Sequence, residues 1–277
     1  MRLFLLTALT MTAFAANYVL NRAGVATAGM SPLDFGVVRL VSGAVALAVI
    51  VAWQGRGFAL GGSGRVIAVG SLLAYIFGFS VAYRGLDAGL GALLLFGVVQ
   101  ITMFGGALLA REDVPLNRWV GAAVATTGLV WLLWPGETTL APWGAAGAMA
   151  VAGVGWGVYS LQGRLERDAT QATAMNFCLA APVALIAWLF WGGGAMPATG
   201  VALAIVSGVI TSGLGYALWY AILPDLGAAR AGVAQLSVPV IAMAGGMVFL
   251  AEPMTWTFVG AAGLVIAGVL ISMRRSV

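Results

Sequence analysis

Apolar runs of about twenty residues follow one another along the whole chain, separated only by short groups of turn-forming residues. That repetition decides the solvent before any motif is considered. The 277 residues are 62% hydrophobic and only 8% charged, whereas a soluble domain carries roughly 25% charged residues. Too little polar surface is available to coat a water-soluble body of this size, so lipid is the solvent for most of the chain. The short alternating strands of a β-barrel are not seen. The pattern predicts an all-α membrane protein.

The spacing predicts helices over 3–21, 32–53, 66–84, 88–109, 117–134, 142–163, 171–191, 198–220, 227–250 and 255–273, ten spans in all. The breaks carry turn or capping chemistry, as at Ser31-Pro32, Asp87-Ala88-Gly89, Pro135-Gly136 and Glu252-Pro253. All 13 basic residues are arginine, and their placement sets an orientation. With the N-terminus in the cytoplasm, ten arginines fall on the inner side, Arg22 and Arg84 lie outside, and Arg39 sits within a helix. This bias is the positive-inside pattern and predicts that both termini are cytoplasmic. Ala13-Phe14-Ala15 resembles a leader cleavage site. Cleavage would remove the first span and reverse the arginine count, and the apolar run continues to Leu20. A retained first helix is therefore expected.

The chain also repeats itself. Gly78-Phe79, Tyr83, Asp87-Ala88-Gly89, Glu112 and Val120-Gly121-Ala122-Ala123 recur in order as Gly215-Tyr216, Tyr220, Asp225-Leu226-Gly227, Glu252 and Val259-Gly260-Ala261-Ala262. Tyr18 and Asn21 align with Tyr159 and Gln162. Five spans per half is an odd number, so the second half is expected to sit inverted relative to the first. The expected units are 1–136 and 137–277, two inverted five-helix repeats.

These features resemble the drug/metabolite transporter superfamily, EamA type, over essentially the whole chain. The resemblance rests on five plus five spans, an aromatic and polar patch in the first helix of each half, and a glutamate closing the fourth span before a "VGAA" helix. The segment "LLLFGVVQITMF" at 93–104 is similar to the YddG-type aromatic amino acid exporters, with Gln100 where a generic member tends to carry the proline seen here at Pro239. The resemblance implies a bacterial inner-membrane protein exporting amino acids, aromatic ones included, or related small metabolites by alternating access. It implies a monomer among membrane lipids, with a small-molecule substrate and no nucleic acid partner. A multidrug exporter of aromatic cations and a membrane-embedded lipid enzyme are the competing functions.

Polar and aromatic side chains at membrane depth are the candidates for substrate contact, since a lipid-facing position gains nothing from polarity. Asn17 is read as interior, either lining a cavity or bonding a neighbouring helix. Trp156 stands between Gly153, Gly155 and Gly157, about 21 Å along its helix from Pro142 at 1.5 Å per residue. It is thus too deep for an interfacial anchor and is read as a substrate-stacking ring or as core. Tyr75, Phe79 and Tyr83 share one helix face, and Ser212, Tyr216 and Tyr220 share the equivalent face in the second half. Such stripes either pack the core or frame a common cavity. Tyr159, Gln100 and Gln235 complete the mid-helix set. Arg39, about 10 Å into its span, has three readings: snorkelling, pairing with backbone carbonyls, or binding a carboxylate. Asp34 is read as part of a capping box opened by Ser31, and Glu112 and Glu252 as helix-end residues.

Other chemistries lack their residues. The chain has no histidine and one cysteine, Cys178. Triad chemistry, the usual zinc motifs and an internal disulfide are therefore excluded. Gly153-Val154-Gly155 follows no strand and precedes no Gly-Lys-Ser/Thr, so it is not a nucleotide loop. No enzyme activity, cofactor or metal is expected.

Overall fold

The computed structural model describes residues 1–55, 57, 64–109, 116–133, 142–163, 166, 168–219, 221–222, 225, 235 and 237–273. Among them the regular structure is helical throughout, with no strand. The first half contributes α1 (Arg2–Arg22, extended by a π-turn over Ala23–Thr27), α2 (Pro32–Trp53), α3 (Arg65–Ala82), α4 (Ala88–Leu109) and α5 (Leu116–Leu133). The second contributes α6 (Trp143–Gly163), α7 (Ala169–Trp191), α8 (Ala198–Val206), α9 (Ser237–Leu250) and α10 (Trp256–Met273). A π-helical segment, Ser207–Leu214, continues α8, and the helix runs on to Trp219. The expected helix over 227–250 is described only from Ser237 onward, apart from Gln235; Glu112 and Tyr220 lie outside the described residues.

Helix starts follow local chemistry. Ser31 caps α2 by accepting the Asp34 N–H at 3.1 Å, with Pro32 in the first turn, as the capping-box reading expects. Asp168 caps α7 by accepting the Gln171 N–H at 3.1 Å. In α1, the hydroxyls of Thr7, Thr10 and Thr12 donate to carbonyls one turn back, so none presents an unpaired hydroxyl to hydrocarbon.

Among the described residues, six helices are long and apolar enough to cross a membrane: Arg2–Thr27, Pro32–Trp53, Arg65–Ala82, Trp143–Gly163, Thr170–Trp191 and Ala198–Trp219. Shorter apolar helices run over Ala88–Met103, Ser237–Leu250 and Trp256–Gly268. The bundle exposes its large apolar side chains: Phe4 and Leu9 on α1, Val49 on α2, Leu189 and Phe190 on α7, Val248 and Phe249 on α9. Such a surface is stable only against lipid tails.

Inside, glycine sets how closely helices approach. α3 and α6 run antiparallel with backbones nearly touching. A Cβ at Gly78 would meet Ala148 O at 2.7 Å, and one at Gly155 would meet Ser71 O and Tyr75 N, each at 2.7 Å. α5 and α10 pair in the same way, Gly268 lying against Gly121 O and Ala125 N, and Gly128 against Ala261 O and Leu264. This is small-residue packing, which serves in lipid where no hydrophobic force draws helices together. Gly155→Ala puts a methyl against backbone that cannot swing away. It is expected to destabilise the protein by about 1–3 kcal/mol, read as a lower melting temperature in detergent. Gly144→Ala, where a Cβ meets open space, is expected to leave that temperature unchanged.

Candidate functional site

At the centre of the bundle, α1, α3, α4, α6 and the helix that continues α8 meet around a narrow cavity with room for about one water molecule. Phe14, Asn17, Tyr18, Tyr75, Leu95, Phe96, Trp156 and Tyr216 wall it. Trp156 is the hub, with ring centroids 4.9 Å from Tyr75, 4.9 Å from Tyr216 and 6.2 Å from Phe14. Phe14 in turn meets Tyr216 edge-on at 5.8 Å. The glycines that flank Trp156 make this arrangement achievable. Gly155 seats α6 on α3, while Gly153 and Gly157 lie against Val98 and Thr102 of α4. The indole is thereby held between two close neighbours.

The polar members of the wall come from the same helices. Asn17 is 2% exposed. Its Oδ1 accepts Ser207 Oγ–H at 2.6 Å and lies 3.0 Å from Thr211 Oγ1. These bonds use its carbonyl and leave its amide NH₂ as the donor at the cavity. Ser207 and Thr211 belong to the π-helical segment, as does Ser212. A π-segment widens the helix and shifts every later side chain around its axis. The register of Ser212 and Tyr216 is therefore not the one a continuous α-helix would give.

Arg39 is fully buried, 0% exposed, behind the tyrosines. Its Nε donates to Ser212 Oγ at 3.0 Å, and its Nη2 to the hydroxyls of Tyr75 and Tyr216 at 3.3 Å each. The guanidinium carbon lies 5.3 Å from the Tyr75 ring centroid and 5.2 Å from that of Phe79. Neither snorkelling nor pairing with backbone carbonyls describes it; hydroxyls and ring faces hold it instead. Tyr216 O–H donates to Tyr75 Oη at 3.1 Å, closing the group.

A second layer of rings backs the wall. Tyr18 packs on Phe79 at 4.9 Å, and Phe79 on Tyr83 at 4.9 Å. Tyr159 stacks under Trp156 at 5.8 Å and accepts Asn176 Nδ2–H at 3.3 Å. Phe79, Tyr83, Tyr159 and Arg39 thus support the cavity without walling it. Gln100 is half-buried on α4, and Gln235 is also half-buried; neither walls the cavity. Phe14, Leu95 and Phe96 were not singled out in the sequence, where each is one apolar residue in an apolar run.

Polar clasps close both ends of the bundle. At one end Arg22 bridges Asp87 at 3.1 Å and Glu252 at 3.3 Å, and donates to Tyr83 O at 3.0 Å. The Ala88 N–H, in the first turn of α4, donates to both Glu252 carboxylate oxygens at 3.1 and 2.9 Å. Burial pushes the Glu252 carboxyl above the usual glutamate range and neighbouring Asp87 adds to this, against the opposing pull of the Ala88 N–H and Arg22. At the other end Arg65 bridges Glu166 at 3.0 Å and donates to Asn176 Oδ1 at 2.7 Å and Ala172 O at 3.1 Å. Asp34, by contrast, braces a helix end: besides the cap it accepts Trp188 Nε1–H at 2.7 Å.

Three comparisons bear on identity. Over 254 residues the chain is 41% identical to an uncharacterized protein of Pseudomonas aeruginosa, covering 91% of this chain and 88% of that one. It is 26% identical over 214 residues to an uncharacterized transporter of Archaeoglobus fulgidus, covering 72% of this chain and 75% of that one. A solved crystal structure of a protein superposes with a TM-score of 0.69 at 19% identity, covering 96% of this chain and 94% of that one, a likeness of fold. Residues 143–274 of this multi-pass membrane chain match the EamA-like transporter family.

Proposed function

We propose that the protein exports amino acids, aromatic ones included, across the bacterial inner membrane by alternating access, in the manner of the YddG-type exporters. The observation that carries the reading is the aromatic cavity at the bundle centre. As it stands the cavity is narrow, with room for about one water molecule, and its rings offer faces for a planar side chain once the helices part.

The mechanism we infer uses ten spans as two inverted five-helix repeats, 1–136 and 137–277, with both termini cytoplasmic. Its support is the packing pattern, part of which recurs when each helix is exchanged for the one five places along. α3 packs on α6 as α1 packs on the α8 segment. α4 packs on α6 as α1 packs on α9. α2 with α7, α4 with α9 and α5 with α10 each pair across the halves. The cavity takes Phe14, Tyr75 and Phe96 from the first half and Trp156 and Tyr216 from the second. Rocking the halves would open the Arg22 clasp and the Arg65 clasp in turn, and the wall would face opposite sides. We take the working unit to be a monomer in lipid.

The test is counterflow of labelled amino acids into liposomes holding the purified protein, with phenylalanine and leucine first. Saturable exchange is expected. Collapse of an imposed pH gradient should leave it unchanged, because the described acids stand at helix ends and not on the cavity wall. Failure to exchange any amino acid, or uphill accumulation abolished by a protonophore, would overturn the reading.

A further inference from the structure

On and directly behind the polar wall of the cavity stand donors in want of an acceptor. Arg39 carries a full positive charge at 0% exposure, and among the described residues no carboxylate pairs with it. Its Nη1 has no hydrogen-bond partner. The hydroxyls of Tyr75 and Tyr216 both accept from its Nη2, and one hydroxyl donates to the other. With two O–H groups and one bond between them, one O–H is left over, beside a cavity that both rings wall. Asn17 adds an amide NH₂ on the same wall, its carbonyl being engaged by Ser207 and Thr211.

Such a group is costly as it stands. An uncompensated guanidinium in a low-dielectric interior is tolerated where a partner completes it. Ring faces and neutral hydroxyls offset part of that cost, but they bring no negative charge. A substrate that carries an anionic oxygen supplies both the charge and the acceptors.

We propose that Arg39, acting with the Tyr75 and Tyr216 hydroxyls it positions, is the anion anchor of this cavity, and that the substrate class is carboxylates with an apolar or aromatic body. The inference rests on the cavity being the transport site. It adds a chemical requirement that the aromatic wall does not impose: the carboxylate is read, and the ring is only accommodated. An isolated aromatic cation is disfavoured for the same reason, since it would enter next to an unpaired guanidinium. The amino group of a zwitterion is compatible, because Phe14 and Trp156 offer it π-faces on the wall.

Shape-matched probes decide the matter with the full chain in nanodiscs, read by quenching of tryptophan fluorescence and by competition in liposome counterflow. Phenylalanine is compared with phenylalaninamide, and 3-phenylpropionate with 3-phenylpropanamide. In each pair the acid is expected to bind at least about tenfold more tightly than the amide, a discrimination typical of a charge-assisted bond made or lost. Arg39→Lys, which keeps the charge without the planar fork, is expected to retain part of that preference, and Arg39→Gln to abolish it. A purely structural arginine tying α2 to α3 and α8 would move stability but not the acid-to-amide ratio. Equal binding within both pairs by the unmodified protein overturns the anchor, while transport through the cavity stands. A preference shown by the phenylpropionate pair alone supports the anchor and overturns the amino acid assignment. Binding of none of the four overturns both. The comparison on the unmodified chain decides even if the Arg39 variants fail to fold.

Discussion

Trp156→Ala is expected to slow exchange of aromatic and large aliphatic substrates by about tenfold or more. The indole touches three of the rings that share the cavity with it, Tyr75, Tyr216 and Phe14, and rests on Tyr159. Removing it takes away the largest flat surface a substrate can stack on. One lost stacking partner of about 1.4 kcal/mol is a factor of ten, and the enlarged cavity would hold the ligand less tightly still. Truncating a buried tryptophan also costs about 3–5 kcal/mol of stability in general, so loss of transport alone would be ambiguous. Trp156→Phe resolves this, because it keeps a ring and most of the packing and should retain most of the exchange. The measurement is initial counterflow rate per correctly inserted, monodisperse protein. Unaltered rates in a folded Trp156→Ala protein would remove Trp156 from the site.

Helix existence and position were legible because lipid imposes a length. Predicted bounds such as 32–53 and 88–109 coincide with Pro32–Trp53 and Ala88–Leu109, since Ser31-Pro32 and Asp87-Ala88 carry stop and start chemistry that needs no tertiary context. Deep polar residues were legible in part. Asn17, Tyr75, Trp156 and Tyr216 meet at one cavity, while Gln100 and Gln235 carry the same polarity but do not wall it. Polarity says that a side chain avoids lipid; it does not say which interior neighbour it finds. The π-segment at Ser207–Leu214 was not legible at all, because a π-turn changes the register of a helix without requiring residue types that an α-helix would refuse. Its consequence is large, since it brings Ser207 and Thr211 to Asn17 and Ser212 to Arg39. Arg39 itself stood out as a charge at depth, but whether it met carbonyls, a carboxylate or hydroxyls depended on side chains 36 and 173 positions away.

Joining α4 to α9 at the Arg22 end is expected to stop transport reversibly. A Cβ at Gly246 would lie 3.4 Å from the Ala88 Cβ, close to the range of about 3.5–4.5 Å that a disulfide spans. Ala88→Cys with Gly246→Cys, in a Cys178→Ala background, therefore places two thiols to bond across the interface between the proposed halves. If substrate leaves by separation of the halves at this end, the bond fixes the closed arrangement and the cavity faces one side only. Exchange should then fall by about tenfold or more on oxidation and return on reduction, because a covalent bond holds one of two populations. The new side chain at position 246 must displace the Glu252 carboxylate, whose Oε2 would overlap that Cβ. This disturbs the clasp in both redox forms alike, so the oxidised-to-reduced ratio isolates the effect of the bond. Gly246→Cys alone reports what the displacement does to rate. Quantitative disulfide formation with exchange undiminished would mean that α4 and α9 move together at this end, and alternating access through the Arg22 clasp would be wrong.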